Sequence, residues 1–384
     1  MNIPNSSFPT QATDASRPAV SASMTVPAMA PPVAPAQAVG PAQKRASRLG
    51  ILALAGAWLA VVGACAPLED TVYFADQDFT PPSIISLEVT GPTSIVARFS
   101  EDTTAERAFA SSELGELEVE AAGTELTFIT ERPGEIGRPY QLEAVVADAA
   151  GNTMSFVETI YGYNPAVPDV LINEFTTQGS GNHPDVVELR LLSAGNLAGL
   201  TLYAGAPAEY DGRLVFPDLE LPADSFVVVH FKAEDIPEEV NELDDPTASG
   251  GLDATDTGWD FWVEGSPGIS GNNGAVSLYD QPGGNLLDAV IYSNRTSDSD
   301  DRYRGFGSKK ALAMVDGVAA DGGWVAAGAQ PAPEDAVDPE DSTATRSMNR
   351  ASNPTDTDSA ADWHIVPTSG YTFGAPNNDE VYVP

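Results

Sequence analysis

From about residue 80 onward, apolar and polar residues alternate in short runs, and turn-forming residues interrupt them. "SIISLEV" (83–89) and "SIVARFS" (94–100) flank "TGPT" (90–93), which predicts two strands joined by a turn. "LGELEVEAAGTELTFIT" (114–130) predicts two more around Ala122–Gly123. "YQLEAVVADAAGNTMSFVETIYGY" (140–163) predicts a further pair hinged on "DAAGNT". Six or so short strands in about 85 residues predict a β-sandwich. After the stiff "NPAVP" (164–168), a second set follows: "DVLINEF" (169–175), "DVVELRLLS" (185–193), "NLAGLTLYAG" (196–205), "RLVFPDLELPADSFVVVHF" (213–231), "GAVSLYDQPGGNLLDAVIYSN" (274–294) and "DWHIVPTSGYTFGAPN" (362–377). Long helical periods are scarce. The pattern therefore predicts an all-β chain of two tandem β-sandwich domains, 80–165 and 166–384.

The N-terminal region breaks this pattern. Residues 1–43 are Pro/Ala-rich and of low complexity, with nothing to pack. Lys44, Arg45 and Arg48 precede the uncharged, small-residue-rich stretch 49–64, which is shorter than the ~20 residues needed to span a bilayer. A basic region followed by a short apolar run reads as an export signal. Cys65, the single cysteine, ends that run and has no partner for an intramolecular disulfide. "VGAC" (62–65) resembles the lipobox of bacterial lipoproteins. That resemblance implies a signal peptide ending at residue 64, a lipid anchor on Cys65 and a tether over 65–79. It implies export to the bacterial cell envelope, and Ala66 after the cysteine favours the outer membrane.

Charge narrows the partners. The whole chain carries a formal charge of −38. Residues 1–64 contain only Asp14 among acids and Arg17, Lys44, Arg45 and Arg48 among bases, so the chain from Cys65 onward carries −41. Nucleic acid is excluded as a partner, because phosphate binding needs a cationic surface. Anionic lipid headgroups would be repelled, so membrane attachment falls to the lipid.

Two further resemblances concern the domains. "TPP" (80–82), "ARFSED" (97–102) and "VVADAAGNT" (145–153) resemble bacterial Ig-like domains. In the last of these, Asp148 is suited to capping a turn in which Gly151 and Asn152 tolerate positive φ. "INEF" (172–175), "VEL" at Val187–Leu189, "LTL" (200–202), "LPADSFVVV" (221–229), the hairpin with Asp288 before an apolar run, and "DW…PTSGYTFGAPN" together resemble the lamin-tail domain. That resemblance implies an Ig-like sandwich serving as a tethering or interaction module. Two stretches, roughly 233–273 and 295–361, exceed its compact pattern.

Glu174 and Glu188 form the best acid pair, expected on neighbouring strands. Paired carboxylates suit general acid–base work or a metal, but binding of backbone or arginine groups is the preferred reading, with Arg190 the natural partner. The Asp-rich loops at Asp298 and Asp356 place Tyr303 and Ala361 where an EF-hand needs glycine. They read as solvated surface, as do Asp244, Asp245, Asp253, Asp256, Asp300 and Asp301, and metal binding stays open. In "GWDFW", alternation puts Trp259 and Phe261 on one face and Trp262 on the other. "RYRGFGSKK" (302–310) is expected to neutralise its acidic neighbours Asp298, Asp300 and Asp301. His183, His230 and His364 match no catalytic motif. The expectation is a non-catalytic envelope lipoprotein with no cofactor, binding a protein or cell-surface partner. The alternative is a metal-assisted hydrolase built on the two long stretches.

Overall fold

The computed structural model describes residues 78–297 and 299–384. The signal region, Cys65, most of the tether and Asp298 lie outside the described residues. The first sandwich contains β1 (Ile84–Gly91), β2 (Ser94–Phe99), β3 (Thr104–Ala110), β4 (Leu117–Ala122), β5 (Glu125–Thr130), β6 (Pro139–Ala147) and β7 (Thr153–Tyr161). One sheet has the order β1-β2-β5-β4 and the other β3-β6-β7. Strict alternation sends Ile95, Ala97 and Phe99 of β2, Leu126 and Phe128 of β5, and Leu142, Ala144 and Val146 of β6 into a shared core. Phe156 closes that core with an edge-on contact to Phe128, ring centres 6.4 Å apart. Each fully buried side chain of this size contributes about 1.5–3 kcal/mol.

The "DAAGN" turn departs from expectation at one residue. Asp148 accepts a bond from the Asn152 amide at 2.8 Å, and Gly151 takes φ +87° in open space, so only its backbone freedom is needed. Asn152 does not take a positive φ. Its side chain instead donates to Asp148 and to the Asp78 carbonyl, which ties the entering chain to the sandwich.

The second sandwich contains β8 (Val170–Phe175), β9 (Val186–Leu191), β10 (Gly195–Asn196), β11 (Thr201–Ala206), β12 (Glu209–Val215), β13 (Glu220–Leu221), β14 (Phe226–His230), β15 (Trp259–Trp262), β16 (Asn273–Tyr279), β17 (Leu286–Ser293), the helix α1 (Lys309–Ala320), β18 (Met348–Arg350) and β19 (Trp363–Ile365). Six strands form one sheet, β15-β14-β9-β8-β18-β19; four form the other, β12-β11-β16-β17. Between them lie Ile172, Phe175, Leu189, Val229, Leu202, Leu278 and Tyr292, whose ring meets that of Phe175. Among the described residues the protein is thus all-β with one α-helix.

The two long stretches are not mere loops. The first supplies β15, which runs parallel to β14, and the second supplies α1 and β18. Helix α1 follows from local chemistry: the Ser308 hydroxyl accepts from the Ala311 amide, and Ala311, Met314, Val315 and Val318 make one apolar stripe. α1 lies across the four-stranded sheet, and so β11 and β16 are buried on both faces. Among the described residues no helix is long and apolar enough to cross a membrane.

Candidate functional site

The six-stranded sheet has an outer face unlike its core face. A bulge between Ile172 and Glu174 creates it. Under strict alternation Glu174 would point the same way as Ile172. The extra residue lets Ile172 and Phe175 both face the core, while Glu174 is delivered opposite Glu188. The bulge also frees backbone groups, and side chains from distant segments satisfy them. Asp288 accepts from the Ile172 amide at 2.6 Å. Arg350 Nε donates to the Ile172 carbonyl at 2.8 Å, and Asn377 donates to the Asn173 carbonyl at 2.9 Å.

Arg350 is buried against Asp288, with N–O distances of 2.9 and 3.1 Å. It also meets Asp356 and Asp362 and lies 4.7 Å from the centre of the Trp363 ring. The Asp288 carboxyl is pushed up to about 7: burial outweighs the pull of Arg350, and Asp356 adds repulsion.

Glu174 and Glu188 are both fully buried on the outer face. Glu174 accepts from the Ser347 hydroxyl at 2.5 Å, the Thr372 hydroxyl at 2.6 Å and the Thr372 amide at 3.0 Å. Glu188 accepts from the Asn173 amide group at 2.6 Å and from the Gly374 backbone N–H at 2.5 Å. Burial raises the Glu174 carboxyl above its ordinary range, against these donors. Burial, reinforced by repulsion from Glu174, raises Glu188 well above its own. The acid pair thus binds backbone, as expected, but not arginine. Arg190 turns instead to Asp224 at 2.9 Å and the Ser352 carbonyl.

Two segments roof this face: 232–258, which follows β14, and 366–380. They meet where a Cβ on Gly258 would lie 3.2 Å from the Gly374 Cα and 3.3 Å from a Val228 methyl. The three histidines all hold these segments or their margins. His183 bonds Asp253 at 2.7 Å, beside the Tyr371 ring. His364 bonds the Asn378 carbonyl at 2.8 Å. His230 is buried, stacked 3.9 Å over Trp262, with Nε2 2.7 Å from Asp260. Among the described residues its Nδ1 has no partner. An Nε2–H donating to Asp260 leaves Nδ1 as a bare acceptor, which costs less than an orphaned N–H. Asp260 in turn receives the Thr255 amide, and its own amide donates to buried Glu242.

The remaining candidates fall into place singly. Trp259 and Phe261 share the core side of β15, and Trp262 points outward under the roof. Arg304 pairs with Asp316, and Lys310 with Asp211 and Glu209. The basic segment thus neutralises acids of α1 and β12 rather than its neighbours Asp300 and Asp301. Asp300 instead caps the Arg302 amide, and Asp245 caps Thr247. Among the described residues, three carboxylates converge in the first sandwich. Asp78, Glu101 and Asp148 bring oxygens within 4.8 Å of one another, a geometry that could hold a cation. Burial and then repulsion from Asp148 and Asp78 raise Glu101. Arg350, Ser347, Thr372 and Asn377 escape sequence reasoning. The "TSGYTFGAPN" run is noted, but nothing in it announces that it clasps acids some 200 residues upstream.

The fold and this roofed acid pair define a class: an all-β protein whose second sandwich carries a buried polar face closed by its own chain. Residues 168–365 match the family described as TP_1001_2nd, protein second domain, and the chain belongs to that family. The match includes Glu174, Glu188, His230, Asp260, Asp288 and Arg350. The chain is also similar to a protein of Treponema pallidum (strain Nichols) titled "Uncharacterized protein", 27% identical over 184 residues. That similarity spans 46% of this chain and 45% of the relative's length.

Proposed function

We propose that the protein is a lipid-anchored, non-catalytic binding or scaffold component of the bacterial cell envelope. On this reading it is an Ig-like domain followed by a lamin-tail domain, held to the membrane through Cys65. The observation that carries the non-catalytic part is the fate of the acid pair. Every oxygen of Glu174 and Glu188 accepts a bond from the chain itself, and no substrate atom can come within hydrogen-bond reach while the roof is closed. The pair is a clasp, and what the domain offers a partner is its exposed surface. Acids such as Asp245, Asp300, Asp316 and Asp338 of the two long stretches cap turns or pair with nearby bases. Among the described residues no three acids of these stretches converge on a metal-binding geometry, which gives the hydrolase alternative little support.

The anchor is supported by the sequence around Cys65 and by the acidity of the rest of the chain, which would repel an anionic membrane. Cys65→Ala should leave an unlipidated precursor in cells grown with labelled palmitate. A processed, membrane-partitioning Cys65→Ala protein would sink the lipoprotein reading.

A further inference from the structure

A cleft of about 750 Å³ lies between the two sandwiches, whose described residues belong to one compact unit. The junction beside it is built by contact: the Asn164 side chain donates to the Asn196 and Ala198 carbonyls at 2.8 and 3.0 Å. Gly137 abuts the Gly199 backbone so closely that a Cβ on it would lie 2.6 Å from the Gly199 nitrogen.

One wall of the cleft is made by successive residues of β1, Ile84 to Val89, and by the end of β7, Glu158 to Tyr161, with the three residues that follow it. Side chains of a strand alternate between faces. An unbroken run can border one cleft only along the strand edge. Both strands are outermost in their sheets. β1 pairs with β2 on its far side, and among the described residues its cleft-side backbone groups have no backbone partner. The opposite wall is the turn Asp280–Asn285 with Asp321.

The chemistry of this cleft is one-sided. Glu88, Glu158, Asp280 and Asp321 line it, and no Lys, Arg or His does. The Glu158 carboxylate has no ion pair or hydrogen bond among the described residues. Glu88 shares Arg98, at 3.5 Å, with Glu125. Ile85, 69% exposed, supplies apolar surface beside the edge. A free edge is a template for another strand. A second copy of this chain would bring the same acids and be repelled. A segment carrying Lys or Arg at alternate positions would be drawn in.

We propose that the cleft receives an extended, basic segment of a partner protein, added as a strand to the free edge of β1. Its cations lie over Glu88, Glu158, Asp280 and Asp321. Eight residues of β1 correspond to about 27 Å of strand, which sets the length recognised. Main-chain bonds supply affinity, and the acidic rim supplies selectivity and speed of encounter. The inference rests on the binding-module reading for the existence of a partner and is independent of the lipid.

The test titrates the full chain into a fluorescein-labelled alternating Lys-Val octapeptide and follows anisotropy. Saturable binding is expected, together with no binding of the matching Glu-Val peptide. N-methylation of alternate peptide amides keeps the charge but removes edge donors, and should weaken binding about tenfold or more. Glu88→Gln with Glu158→Lys, both on the surface, should weaken it by about the same factor without lowering the melting temperature. Equal binding of the N-methylated peptide would reduce the effect to loose charge attraction and overturn the proposal. So would unchanged binding by the double variant, or absence of saturation, in which case the acids only guard the edge. A photo-crosslinking residue in place of Ile85 should capture a partner in cells. Capture at Val325, which does not line the cleft, and not at Ile85 would overturn the cleft and leave the binding-module reading standing. Capture at neither would sink both.

Discussion

Single residues in the second sandwich set an unusual dependence on acidity. Asp288 is pushed up to about 7 by burial, and Glu174 and Glu188 are raised for the same reason, Glu188 also by its neighbour. A carboxyl whose folded value lies above its unfolded one takes up a proton on folding. Its contribution is fully present below the unfolded value, near 4, and is lost as pH rises through the folded value. For Asp288 that window runs from about 4 to about 7. The melting temperature should therefore rise as pH falls from 8 to 5, the reverse of proteins whose carboxylates are stabilised as anions. Thermal melts at fixed ionic strength check this, and a fall in that interval would mean that Arg350 and the surrounding amides hold these acids ionised after all.

At the scale of elements, the bulge in β8 and the two roof segments act together. Gly374 takes φ +79°, and a Cβ there would lie 2.5 Å from the Thr255 hydroxyl and 2.7 Å from that of Thr257. Gly374→Ala should thus strain its own turn and push the other segment away, at a cost of about 1–3 kcal/mol in urea melts. Amide exchange should quicken over 232–258 as well as 366–380. Faster exchange confined to 366–380 would show that the segments close independently. Strand positions were legible because alternation and turn residues mark them; "SIVARFS" and "YQLEAVVA" fall within a residue or two of β2 and β6. The bulge was not legible, since "LINEF" reads as an ordinary half-buried strand until Phe175 is seen facing the core. α1 and β18 were missed because they sit in a stretch that looked like loop. Their faces acquire meaning only against the sheets they cover. Glu174 and Glu188 were found as a pair, yet their donors come from positions close only in three dimensions.

Across the whole molecule, self-repulsion opposes compactness. The chain from Cys65 onward carries −41, and many of its acids are exposed. Sodium chloride should raise the melting temperature steadily, because screening acts on every exposed pair and has no stoichiometric end point. Calcium at matched ionic strength should follow the same course. A saturable gain, about 2.7 kcal/mol at a hundredfold excess over the dissociation constant, would instead mark a discrete site. Asp78, Glu101 and Asp148 are the first residues to substitute in that event.

The clasp also bears on the order in which the molecule can be made. Glu174 and Glu188 leave the ribosome early in the second sandwich, whereas Thr372, Gly374 and Asn377 follow some 200 residues later. Until then Glu188 has Asn173 and Glu174 gains Ser347, but one oxygen of each acid still has only water to bond. The closing of this face is therefore one of the last steps in making the second sandwich, because it waits for the C-terminal segment to emerge.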